Sequence, residues 1–199
     1  MLSFGRRLVT LHRFAECART WETRYQNRFI LGTFVVSNRR TPVVYSCDKF
    51  SARGLTVARV HDVAAYIIAR LRPLDAMKLQ KLLYYSQAWS LVWDGRPLFS
   101  ARIEAWANGP VVREVFKAYQ GQYRVSEAKY GNPDALNPTE KQTVKAVLKF
   151  YGPKSGFYLS QLTHRERPWM NARKGLAPGD LGDVEITKAD MSEYYGSLV

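Results

Sequence analysis

The sequence predicts a mainly α protein: one compact helical domain with a small extended β excursion, preceded by a poorly structured basic extension. Three observations carry this. Lys78 to Trp93 is apolar on nearly all sides of a helix, which places it at the centre of a bundle. Proline, glycine and capping residues punctuate the chain around it at helix-length intervals. Regular patterning begins only at Val57, whereas Met1 to Gly54 is rich in arginine, poor in acids and without sustained periodicity.

Taken in order, Val57, Val60, Val63, Ala64, Ile67, Ile68 and Leu71 recur at helical spacing, and Pro73 stops the run. Asp75 is placed to cap the central helix, which runs to Trp93 before Asp94-Gly95. Ser86 and Ser90 form a narrow small-residue stripe where a neighbouring helix could come close. Pro97 to Phe99 and Arg102 to Trp106 are too short for helices and read as an extended excursion, a two-stranded ribbon. Asn108-Gly109-Pro110 turns the chain, and Pro110 is expected to open a helix from Val111 to Gln120. Residues 122–136 read as loop. Asn137-Pro138-Thr139-Glu140 is close to a capping-box signature for a helix ending at Tyr151. Ser155 caps a further helix to about His164, Pro168 starts a short one, 175–183 is loop, and Thr187 to Asp190 resembles a capping box for a last helix through Tyr195.

The 199 residues carry a net charge of +13, unevenly spread. Residues 1–54 hold ten Lys/Arg against three acids, and the remaining 145 residues carry only +6, which no single helix concentrates into a stripe. Basic character is thus a weak argument for nucleic acid. Both cysteines, Cys17 and Cys47, precede residue 55 and have no metal-ligand spacing. No apolar run approaches the ~18 residues that span a bilayer, and Phe29 to Val36 lacks the flanks of a signal peptide. A cytoplasmic protein without cofactor or metal is expected.

Few residues suggest chemistry. Lys78 and Lys81 lie one turn apart and could meet an acidic partner or phosphate, but without a glycine-rich loop they read as lysines bordering the central helix, shielding its apolar flank with their stems. Trp106 with Gly109 and Pro110 could be a recognition elbow or a buried aromatic at a backbone-determined turn; the architectural reading is preferred. Thr163, His164 and Glu166 crowd a nucleophile, a base and an acid together, yet neighbours on a helix point apart and would not form a relay. His164, at a helix end near the negative dipole, needs only a structural explanation. No catalytic residue is assigned.

Three blocks stand out jointly: Lys78-Leu-Gln80-Lys81-Leu-Leu-Tyr84-Tyr85-Ser-Gln, Glu104-Ala-Trp106-Ala-Asn-Gly109-Pro110-Val-Val, and Thr163-His164-Arg-Glu-Arg-Pro168-Trp169. Together they resemble the Panacea domain of SocA-like antitoxins and prophage-associated GepA-like proteins, over roughly Val57 to Tyr195. The resemblance implies a protein-binding antitoxin that silences a toxin encoded beside it, by direct occlusion or by delivery to a ClpXP-type protease, with no catalytic residue. It leaves a nucleic-acid-binding regulator as the alternative from another class. It also implies a domain occupying 55–199. On that reading the extension 1–54 is upstream translation over-called from a start at Leu55, with an accessory segment or a transit peptide as the alternatives.

Overall fold

The computed structural model describes Val57–Val199, together with β1 (Val35–Val36) paired antiparallel with β2 (Val43–Val44). The expectations for the rest of 1–54 lie outside the described residues. The chain divides into two units, Met1–Thr56 and Val57–Val199, and the second holds all three sequence blocks.

Helix α1 (Val60–Leu71) buries Val60, Val63, Ala64, Ile67 and Ile68, the residues its periodicity selects. It ends before Pro73. Strand β3 (Leu74–Asp75) leads into α2 (Ala76–Trp93), whose residues 81–90 are all buried. A helix apolar all round must be enclosed, and α2 is packed most extensively by α4 (Pro138–Tyr151), α5 (Gly156–Thr163) and α7 (Lys188–Gly196), with α1 completing its surroundings. Aromatic rings set the contacts: Tyr85 stacks on Tyr151 at 3.9 Å, and Trp89 meets Tyr195 edge-on at 5.4 Å. Ser86 and Ser90 are satisfied locally, by the Leu82 and Arg96 carbonyls.

Two elements depart from the sequence reading. Pro110 does not open a helix. It lies within β5 (Gly109–Val111), which pairs antiparallel with β4 (Glu104–Trp106), so the expected ribbon forms but takes its second strand from residues assigned to the turn and to the start of the helix. Gly109, at φ +98°, closes the tight turn through Ala107 and Asn108, and a proline is tolerated where a ribbon has a free edge. Helix α3 (Arg113–Ala118) therefore starts later and is short. Likewise the 122–136 loop contains β6 (Arg124–Val125), antiparallel to β3. The neighbouring Tyr123 carbonyl accepts the Ala76 N–H at the start of α2, where Asp75 makes no side-chain capping bond.

The remaining boundaries follow their caps. Asn137 and Glu140 exchange two 3.0 Å bonds as a complete capping box for α4. Ser155 caps α5, Pro168 lies in the first turn of α6 (Arg167–Ala172), and Thr187 caps α7. Before α7, the 184–186 segment runs along β4, with Ala105 N–H donating to Val184 O and Ile186 N–H to Ile103 O, each at 2.9 Å.

Candidate functional site

The three sequence blocks meet at the β4–β5 ribbon, which α2, α5 and α6 hold from behind by its backbone. From α2, Gln80 Oε1 accepts the Val112 N–H at 2.8 Å and Lys81 Nζ donates to Pro110 O at 3.0 Å. From α5, Ser160 Oγ donates to Asn108 O at 2.8 Å. From α6, Trp169 Nε1 donates to Trp106 O at 3.0 Å. Arg173, just beyond α6, donates to Ala105 O at 3.0 Å. A short ribbon has little cross-strand stabilisation of its own. Here its orphan backbone groups are satisfied by side chains 29 to 68 residues away in sequence, which accounts for three separated blocks acting as one.

Lys78 and Lys81 differ sharply. Lys78 is half-buried and its Nζ donates to Gly152 O at 2.6 Å, closing the C-terminal end of α4, where a cation is favoured. Lys81 is not a bordering lysine: it is 1% exposed, because the ribbon folds over it. Burial brings its ammonium down from the ordinary 10.5 to about 7. A methyl group on Gly109 would lie 2.8 Å from both Lys81 Nζ and Thr163 Oγ1, so glycine is required there for space as well as for its backbone angle. Tyr84 and Tyr85 are fully buried in the aromatic column behind this layer.

Thr163, His164 and Glu166 are separated as the helix geometry predicts. Thr163 Oγ1 donates to Ser160 O at 2.8 Å. His164 stacks on Trp169 at 4.1 Å, and its pKa is lowered, by burial first and then by Lys81 and Arg173. Glu166 turns the other way. Its carboxyl accepts from Tyr195 Oη at 2.8 Å and Tyr85 Oη at 3.2 Å, and burial raises it to about 8 despite those bonds. Sequence reasoning missed Glu166 as the tie between α2 and α7, because nothing local signals a partner 81 residues away.

On the solvent side, Trp106 is half-buried and Asn108 exposed at the tip of the elbow. Glu104 Oε2 accepts from Trp106 Nε1 at 2.7 Å and from Arg113 at 2.7 Å. Burial opposes ionisation of Glu104, but the hydrogen bonds from Arg113 and Trp106 hold its carboxyl below the usual range. Phe116 packs edge-on against the Trp106 ring at 4.8 Å. A cavity of about 520 Å³ opens on one side of Trp106, lined by Val111, Arg113 and Leu181 to Asp183. A second, of about 270 Å³, opens on the other, reaching Gln80, Lys81, Phe116 and Tyr119. Both share Trp106, Asn108 and Val111. Among the described residues no cluster of His, Cys, Asp and Glu could hold a metal ion, and no helix is long and apolar enough to cross a membrane.

Residues 79–170, which contain the ribbon and nearly every side chain that holds it, match the family model for the SocA-like antitoxin, Panacea domain. That stretch is similar to the Panacea domain of SocA-like antitoxins. The chain is similar to antitoxin SocA of Caulobacter vibrioides, with 33% identity over 78 residues. That stretch spans 39% of this chain and 39% of the length of the Caulobacter protein. No solved structure matches. The matched region runs from Leu79 in α2 to Met170 in α6, so the family signature coincides with the ribbon and most of its supports, while α1 and α7 complete the enclosure of α2 from outside it.

Proposed function

We propose that this protein is the antitoxin of a toxin–antitoxin pair and neutralises a protein toxin by binding it directly, with the Trp106–Asn108 elbow as the centre of the contact face. The observation that carries this is the pairing of a rigidly held backbone with an accessible tip. Five side-chain bonds fix the ribbon and its exit from behind, yet Trp106 and Asn108 stand between two cavities. Beside them lie exposed apolar side chains, among them Leu181 at 97% and Val184 at 49%. Protein-binding hot spots favour a tryptophan that is partly enclosed, rigid and flanked by depressions a partner can fill. Such work needs a specific surface and no reacting group, which agrees with the dispersal of Thr163, His164 and Glu166.

The test is co-expression with the neighbouring gene. Growth should be restored, and the toxin should be recovered bound to this protein. A toxin that disappears only when a ClpXP-type protease is present would show delivery in place of occlusion. Growth arrest that this protein never relieves, with no binding in a pull-down, refutes the reading.

A further inference from the structure

The charge that the sequence reading spreads over the domain is gathered by the fold onto one part of it. Lys141 to Lys174 holds eight Lys/Arg against one acid, Glu166, whereas the rest of 55–199 holds twelve against thirteen. Glu166 is buried against Tyr85 and Tyr195, so no acid of this segment faces solvent. The positive excess of the domain therefore sits on α4, α5, α6 and their connections. Helix α4 buries Val144, Val147, Leu148 and Tyr151, which leaves Lys145 and Lys149, one turn apart, exposed on its outer side. Among the described residues Lys141 alone of the eight cations has an acidic partner, the exposed Asp134 at 4.0 Å.

Aromatic rings continue this cationic surface. Lys154, in the turn between α4 and α5, holds its Nζ 4.3 Å over the Phe150 ring and 5.9 Å from the Tyr158 centroid. Its donation to Phe150 O at 3.0 Å fixes the ammonium there. On α5, Phe157 is 70% exposed and Tyr158 50%, and Arg165 is exposed just past the helix end. The centre of a protein interface is depleted of lysine, so a lysine-lined surface is poorly suited to an apolar protein partner. A lipid surface is met by a sustained apolar helix face, and α4 spends its own on the bundle. Single-stranded nucleic acid uses both features present here, cations for its phosphates and open ring faces for its unpaired bases. A duplex keeps its bases stacked and has no use for Phe157.

We infer that the outward face of α4 and α5 binds single-stranded nucleic acid, with Lys145, Lys149, Lys154 and Arg165 meeting phosphates and Phe157 and Tyr158 stacking on bases. This binding is separate from toxin neutralisation and stands without it.

The experiment follows the fluorescence anisotropy of labelled oligothymidylate and oligouridylate of about 15 nucleotides, titrated with the full chain over a range of salt. A duplex of the same length, polyglutamate and phosphatidylglycerol vesicles serve as competitors. Both single strands should bind and the competitors should displace them poorly; the tighter of the two strands assigns the partner as DNA or RNA. Each cation on a phosphate of a single strand contributes about 0.7 to the slope of log affinity against log salt. Lys145→Gln with Lys149→Gln should therefore lower that slope by about 1.4 and weaken binding at least tenfold. Phe157→Ala should lose at least fivefold while the slope stays, because it removes stacking and no charge. Lys117→Gln with Lys129→Gln makes the same change of charge on exposed lysines outside the face and should leave the slope nearly unaltered. All the substituted side chains are exposed, so each variant should melt like the parent. Equal losses from the two lysine pairs would show diffuse attraction to a basic chain and overturn the proposal. So would Phe157→Ala binding like the parent, or duplex, polyglutamate or vesicles binding more tightly than either strand. A chain that relieves no toxin refutes the antitoxin reading and leaves these titrations to decide by themselves.

Discussion

Replacing Lys81 by methionine should stabilise the protein in mild acid and destabilise it in alkali. In the unfolded chain the amine titrates at its ordinary 10.5, and burial brings it to about 7 in the folded protein. Between those values the unfolded state binds the extra proton, so stability rises with pH across that window. Below pH 7 the full penalty applies. At roughly 1.4 kcal/mol per pH unit it amounts to ~5 kcal/mol. Methionine removes that penalty and packs in a similar volume, but it strips Pro110 O of its 3.0 Å donor. An unsatisfied buried carbonyl costs about 1–3 kcal/mol. The balance is a gain of ~2–4 kcal/mol at pH 6, which shrinks through neutrality and changes sign before pH 10.5. Urea unfolding at pH 6, 8 and 10 measures it, provided the urea slope is unchanged between variants. A methionine variant that is less stable than the parent at pH 6, and whose stability keeps the parent's dependence on pH, would refute the assignment of Lys81 as a buried, uncompensated amine.

The other expectations concern the layer around the ribbon and the extension before it. Glu166, pushed up to about 8, makes stability fall as pH rises from 4.5 through 8, because the unfolded chain ionises there first; Glu166→Gln should flatten the melting temperature over that range, and an unchanged slope would count against the buried carboxyl. Gly109→Ala should cost ~1–3 kcal/mol for its left-handed backbone alone, with the contacts at 2.8 Å adding to that, and an unaltered thermal melt would show that the turn relaxes freely. Trp169→Phe keeps the stack on His164 but removes the donor to Trp106 O, so it should lower stability by only about 1 kcal/mol while loosening the elbow; partner affinity, measured by calorimetry, should drop more than stability does. A chain beginning at Leu55, given a methionine start, should melt and rescue growth like the full chain and be retained less on DNA as salt rises, since it lacks a +7 segment; loss of rescue with the fold intact would make residues 1–54 an accessory element.

Most of the helical frame is legible in the sequence because its signals are local. Asn137 with Glu140, Ser155 and Thr187 sit at helix starts whose side-chain bonds reach only three residues, and the all-round apolar character of Lys78 to Trp93 requires a central helix whatever surrounds it. The errors fall where the deciding contact is distant. Pro110 has the local look of a helix start, yet Gly109 closes a turn that pairs β5 with β4, and Gln80, thirty-two residues earlier, takes the Val112 N–H. Tyr123 to Val125 looks like loop because a two-residue strand has no periodicity of its own; β3 and the start of α2 give it a partner. Lys81 is misread for the same reason. A lysine on an apolar helix reads as a snorkelling edge residue, and only the ribbon laid across α2 buries it. At the site, the three blocks are visible as unusual sequence, while their meeting at one ribbon through backbone bonds is not.

Lys81 and Glu166 together give the domain an uncommon electrostatic profile. The Lys81 penalty is complete below about pH 7 and the Glu166 penalty is complete above about pH 8. From these two groups alone, stability is therefore lowest near pH 7–8 and rises in both directions, the opposite of the usual placement of maximal stability between ~pH 5 and 8. Lys81 and Glu166 are not equivalent in how their penalties are met. Glu166 is closed off behind Tyr85 and Tyr195 and ties α7 to α2, so its penalty is offset within the fold by hydrogen bonds. Lys81 has one carbonyl and, among the described residues, no acidic partner, so its penalty stands in the folded chain.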